Sequence, residues 1–187
     1  MKIVSIFTVE INALYSLQYD DRKTDELSYL MNCWNNPDYL QTFFNENERY
    51  LVNGFFGNLS VYEATEITLK DADRLENLLY KKAIEGKSNQ GNALQTIFKP
   101  LYDSEINIPP LQRTKLKGIK RKSWLRIYAI RIAANTFVIT GGGIKLTHSM
   151  QESNELLIEL QKLEIAKNYL RESGILDEDD YELLETL

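Results

Sequence analysis

Two apolar runs in the second half of the chain, Trp124 to Ile132 and Asn135 to Gly141, turn on each other at Ala133-Ala134-Asn135. Both are rich in β-branched and aromatic residues, which favour a pleated, half-buried surface, and so short a turn holds them antiparallel. A lone hairpin is barely stable in water and needs further strands or a helix to cover it. These runs therefore commit the chain to a sheet with a helical layer. The glycines at 141–143 are expected to end or bulge the second strand, where the backbone approaches another segment or takes positive φ.

The remaining segments supply the cover. Lys2 to Val9 reads as a strand buried on at least one face, and Asn12 to Arg22 as a connection. Thr24 is placed to cap a helix ending near Trp34, with Asp25 and Glu26 in its first turn. Asn36 caps a second, with Pro37 at its first position, running toward Leu51. Leu69, Ala72, Leu75, Leu79 and Ala83 recur at helical spacing, which predicts a helix over Lys70 to Glu85 with Gly86 at its C-terminal cap. Leu94 to Tyr102 reads as a strand that Pro100 confines to an edge. Pro109-Pro110 opens a basic loop. A last helix from about Ser153 to Glu172 carries Leu156, Leu160 and Leu163 on the face expected to pack on the body. The tail over 175–187 is acidic. The fold class is α+β in one domain over 1–187: an N-terminal strand and helices, a small mostly antiparallel sheet, and a long C-terminal helix.

Composition narrows the chemistry. At 187 residues the chain can bury a core unaided. One cysteine, Cys33, excludes an internal disulfide framework and a Cys-based zinc cluster, and one histidine, His148, excludes a His-rich metal site. Neither metal nor cofactor is expected. No apolar run reaches the roughly 20 residues of a bilayer span, and the opening MKIVSIFTVE has no small-residue cleavage site behind it. These features predict a soluble, cytoplasmic protein without a membrane partner.

The formal charge of −5 is unevenly placed. Ten basic and sixteen acidic residues occupy positions 1–105, while three basic and eleven acidic residues occupy 152–187. Between Ile106 and Gln151 stand nine basic residues and no acid: Arg113, Lys115, Lys117, Lys120, Arg121, Lys122, Arg126, Arg131 and Lys145. Such a block is either a solvated segment paired with its acidic surroundings or a surface that neutralises phosphates. Trp124 and Tyr128, among the cations, suit base stacking and half-buried strands alike.

The run Leu125-Arg126-Ile127-Tyr128-Ala129-Ile130-Arg131, the strand Thr136-Phe137-Val138-Ile139-Thr140 with its three glycines, Lys145, and Ser149 to Glu152 resemble the core hairpin of RelE/HigB-like toxins of bacterial toxin–antitoxin systems. The resemblance covers the second half of the chain. It implies a RelE-like sheet and a metal-independent mRNA endonuclease, free or ribosome-dependent, held inactive by a cognate antitoxin protein. Metal-free RNA cleavage attacks through the 2′-OH, so the protein must hold the phosphate, stabilise its developing charge and move protons. Arg126, Arg131, Tyr128, Lys145 and His148 are the catalytic candidates, Arg126 on the open face as phosphate ligand. His148 is the default acid or base because it titrates near neutrality. Arg113, Lys115, Lys117, Lys120, Arg121, Lys122 and Trp124 are the RNA-binding candidates. No carboxylate in the segment is available for proton transfer, which leaves open a non-catalytic nucleic-acid- or protein-binding module on the same scaffold.

Overall fold

The computed structural model describes residues 1–5, 13–52, 55–87, 93–102, 111–119, 122–147 and 154–187. Strand β1 (Lys2–Ser5) lies antiparallel to β2 (Leu14–Gln18). Helices α1 (Glu26–Trp34) and α2 (Pro37–Glu46) follow, then a 3₁₀ turn (Glu48–Tyr50), the long α3 (Val61–Lys87) and the short α4 (Ala93–Ile97). Strands β3 (Lys99–Pro100), β4 (Gln112–Lys117), β5 (Leu125–Ala133) and β6 (Thr136–Ile144) lead to α5 (Asn154–Glu172) and a C-terminal 3₁₀ segment (Glu178–Thr186).

The strands form one six-stranded sheet in the order β1-β2-β6-β5-β4-β3. The β5–β6 hairpin stands where the two apolar runs place it, and Asn135 takes the left-handed conformation at its turn, φ 59°. The sheet is mixed rather than mostly antiparallel, because β2 runs parallel to β6, pairing Leu14 with Phe137 and Ser16 with Ile139. The segment expected to be a connection therefore holds an interior strand. Leu14, Tyr15, Ser16 and Leu17 are all buried, so no polar–apolar alternation marks it.

Both faces of the sheet are covered. Leu14, Leu125, Ile127, Ala129, Phe137 and Ile139 share one core with the apolar stripes of α1, α2 and α3. Tyr15, Leu17, Tyr128, Ile130, Ile132 and Val138 share the other with Leu156, Leu163, Ala166 and Leu170 of α5 and with Leu184 of the tail. The even-numbered face of β5, expected to stand open, is thus closed beyond Arg126 by α5.

Helix boundaries follow from their caps. Asp25, not Thr24, caps α1, accepting from Ser28 N at 3.0 Å. Asn36 Oδ1 accepts from Asp38 N and Tyr39 N at 3.0 and 3.2 Å, and α2 stops at Glu46, short of Leu51. Helix α3 begins well before Lys70 because Ser60 and Glu63 exchange a capping box: Ser60 N donates to Glu63 Oε2 (2.9 Å) and Glu63 N to Ser60 Oγ (3.2 Å). Gly86 lies inside that helix, not beyond it.

Of residues 94–102, the first four belong to α4, and only Lys99 and Pro100 form a strand, at the sheet edge. The basic loop is in part a strand, since Gln112, Thr114 and Leu116 are buried while Arg113, Lys115 and Lys117 alternate outward in β4. The 141–143 glycines continue β6 with a bulge: Tyr128 faces Gly141, Ala129 faces Ile139, and Thr140 is the extra residue. A Cβ at Gly141 would fall on Glu159 Oε2, and one at Gly142 on Leu30 Cδ1 and Arg126 O, so the expected close approach is present at both. None of the described helices is long and apolar enough to cross a membrane.

The leucine face of α5 packs inward, with Leu156 and Leu163 fully buried and Leu160 partly so. We expect Leu163→Ala to lower unfolding free energy by roughly 2–5 kcal/mol in urea titrations, as large-to-small core changes do. Ile165→Ala, on the 52% exposed side of the same helix, should change it by no more than about 0.5 kcal/mol. Equal losses would mean that α5 is not seated by that face.

Candidate nucleic-acid interface

At one end of the sheet β4 and β5 are held together by Gly118 N, which donates to Leu125 O at 3.2 Å. Lys117 pairs with Arg126, and Arg126 with Gly143 on β6. Gly118 leaves room for Ser123, whose Oγ donates to Asp71 Oδ2 on α3 and accepts from Leu125 N at 3.1 Å. Trp124 is 3% exposed, donates from Nε1 to Thr68 Oγ1 at 2.9 Å, and meets Phe44 and Phe56 edge-on at 5.6 and 5.1 Å. It anchors the start of β5 to the helices. Lys145 N donates to Trp124 O at 2.8 Å, which carries the chain after β6 past the same point.

These anchors leave a cleft of about 290 Å³ lined by Lys117, Lys122, Ser123, Arg126, Lys145 and Thr147, with Phe55 and Phe56 along one wall. Among the described residues, four cations and no carboxylate line it. Asp71, which accepts from Ser123, is itself 1% exposed. Arg126 is oriented by its own backbone, Nη1 donating to Ser123 O at 2.8 Å and Leu125 O at 2.7 Å. Burial pulls its pKa down, against the opposing pull of Tyr128 and Asp71. Lys122 Nζ lies 5.5 Å from the centre of the Phe55 ring. A concave surface that gathers cations around an exposed aromatic ring is suited to a phosphate with an adjoining base.

Of the residues proposed from the sequence, the structure brings Lys117, Lys122, Arg126 and Lys145 together. Lys120, Arg121 and His148 lie outside the described residues. Arg113 is drawn away into an ion pair with Glu164 of α5 and over the Tyr102 ring at 4.9 Å. Lys115 Nζ donates to Leu101 O at 3.0 Å. Trp124 is core and presents no ring for stacking. Tyr128 is 1% exposed in the core beneath α5, where burial foremost drives its phenol pKa up. Arg131 lies five strand positions from Arg126, roughly 16 Å at the usual rise, with Nε 3.3 Å from Ala133 O. It does not line the cleft.

The sequence reading passed over a second charged cluster under α5. Lys162 Nζ lies 2.9 Å from both Glu26 Oε2 and Glu159 Oε1. Arg22 Nε approaches Glu26 Oε1 at 3.1 Å without the alignment of a hydrogen bond. Burial raises the Glu159 pKa, Lys162 opposes that rise and Glu26 adds to it. Burial lowers that of Lys162, but the two glutamates outweigh it and the net shift is upward. The signal was present: Glu159 interrupts the apolar stripe of Leu156, Leu160 and Leu163.

A carboxyl whose pKa is raised by folding contributes stability below its unfolded value and loses it as pH climbs through the folded value. Glu159→Gln should therefore gain on the wild type in urea midpoints as pH rises from about 4 to 8, and the two should converge at the acid end. A wild type that gains on the variant over that range would show Lys162 outweighing burial.

Comparison with known proteins adds no identity to this geometry: no family model matches the chain, and neither a curated protein nor a solved structure matches it.

Proposed function

We propose that the chain binds RNA through the cationic cleft and acts as the toxin of a toxin–antitoxin system, a metal-independent mRNA endonuclease working free or on the ribosome. The observation that supports this reading is the convergence of Lys117, Lys122, Arg126 and Lys145 on one cavity with no acid among the described residues of its lining. Arg126, held by two carbonyls, is the phosphate ligand, and its fixed charge stabilises the phosphorane-like transition state without reorganising. Lys117, Lys122 and Lys145 hold the flanking backbone. Proton transfer falls to Lys145 and to His148, which directly follows the cleft residue Thr147 in sequence. The cognate antitoxin is the partner that keeps this surface from RNA.

A second reading is a non-catalytic RNA-binding module on the same scaffold. It is favoured by the burial of Tyr128 and the distance of Arg131, which leave fewer groups for chemistry at the cleft.

Alanine at Lys117, Lys122 and Lys145 together should flatten the logarithmic salt dependence of single-stranded RNA binding by about two units, at roughly 0.7 per phosphate contact. Expression of the wild-type chain should arrest bacterial growth, and the purified protein should cut RNA in the presence of EDTA. Arg126→Ala should lose cleavage by about a hundredfold or more and binding by much less, because its charge acts on the transition state. RNA binding without cleavage or arrest would select the binding module. Loss of neither binding nor slope in the triple variant would remove the cleft from RNA recognition.

A further inference from the structure

Two distant parts of the chain build the cationic cleft. Its charges come from β4, β5 and the segments that follow β4 and β6, while its aromatic wall, Phe55 and Phe56, comes from the connection that leads into α3. Leu59 N donates to Leu51 O at 3.1 Å and closes that connection, and Gly57 turns it directly after the pair with φ 100°. The two phenylalanines reach the cleft together but in different situations.

Phe56 is partly buried against the core that α1 to α3 share with the sheet, and it meets Trp124 edge-on. Packing accounts for it. Phe55 is 56% exposed and is not among the side chains packed on either core. Single exposed apolar residues are ordinary, and Val52, Tyr62 and Ile119 are exposed without lining the cleft. Phe55 differs by its place, since it is exposed inside a wall of cations.

Two contacts fix its ring. Phe56 stands against it at 5.2 Å and 87°, and Trp124 stands against Phe56 at 5.1 Å and 79°, so a chain of perpendicular rings runs from Phe55 to the core. Lys122 Nζ lies 3.4 Å from Phe55 O and 5.5 Å from the ring centre, within cation–π reach. A ring held in advance loses little rotamer freedom when a ligand covers it. The cation beside it brings a phosphate next to that ring.

Charge alone binds a polyanion whatever its strandedness. An exposed ring among the cations adds a preference. An unpaired base has a face to lay on it, whereas a duplex keeps its base faces inside the stack. We infer that Phe55 is a stacking platform for an unpaired base, so that the cleft takes single-stranded RNA with one base on this ring and the adjoining phosphates on Lys122 and Arg126. The inference rests on the reading of the cleft as an RNA surface and adds to it the class of strand.

Three probes test it by fluorescence anisotropy: a short oligoadenylate, an abasic oligomer of equal length, and the duplex of the first with oligouridylate, all carrying 2′-O-methyl groups to block cleavage. The wild type should bind oligoadenylate about five- to a hundredfold more tightly than the abasic oligomer, the range of one stacked base. Phe55→Leu should bring oligoadenylate to the abasic level and leave the abasic oligomer, the duplex and their salt slopes as in the wild type. Phe55→Trp should keep the preference, and the fluorescence it adds should be quenched by oligoadenylate and not by the abasic oligomer. Both variants should keep the wild-type urea midpoint, because the ring is exposed. Equal binding of the two oligomers by the wild type, or an unchanged preference in Phe55→Leu, would overturn the inference while salt-dependent binding left the cationic cleft in place. An equal loss against all three probes in Phe55→Leu would overturn it too, showing that the ring only positions Lys122. Absence of salt-dependent binding to any probe would remove the RNA reading itself, and this inference with it.

Discussion

Strand β6 is bonded on both sides, parallel to β2 and antiparallel to β5, and it holds no edge. Its apolar residues alternate between the two faces of the sheet, so both faces need cover. Phe137 and Ile139 must therefore find the helices α1 to α3, while Val138 must find α5. The N-terminal half of the chain is drawn in by this requirement. Ser16, fully buried on β2, accepts from Leu27 N at 3.0 Å and so ties α1 to the strand that β6 recruits. At the bulge of Thr140 Glu159 and Tyr19 approach the backbone, Tyr19 Oη donating to Thr140 O at 3.0 Å.

Two cavities occupy different situations on this frame. One lies at the sheet end, where β4, β5 and the chain after β6 are bonded together and carry cations. The other lies where the β6 glycines replace side chains under α1 and α5. In the first, charge is concentrated on an open surface and its reach depends on ionic strength. In the second, Arg22 and Lys162 are paired with Glu26 and Glu159.

What could be read from the residues follows the physics of each signal. The hairpin was legible because β-branched residues around a short turn have few other ways to pack, and α5 because its leucines keep helical spacing. Strand β2 was not, since Leu14-Tyr15-Ser16-Leu17 is buried on both faces and shows no period. Strand β4 alternates perfectly, but the weight of Arg113, Lys115 and Lys117 drew the reading toward a loop. Lys117, Lys122, Arg126 and Lys145 were identifiable as cations near one another along the chain. The partners that remove Arg113 and Lys115 from the cleft, Glu164 and the carbonyl of Leu101, belong to other elements and leave no local mark. Arg131 and Tyr128 are the same case: strand parity assigns a face, but only the placement of α5 decides whether that face meets water.

The outer strand β3 has a consequence of its own. It consists of Lys99 and Pro100, pairing with Lys115 and Thr114. A proline has no N–H to offer, and two residues make too short a ladder for a further strand to register against. The charged side chain of Lys99 adds an unfavourable approach for a like edge. The sheet is thereby terminated at this edge, where a strand of another chain would find almost no backbone to pair with.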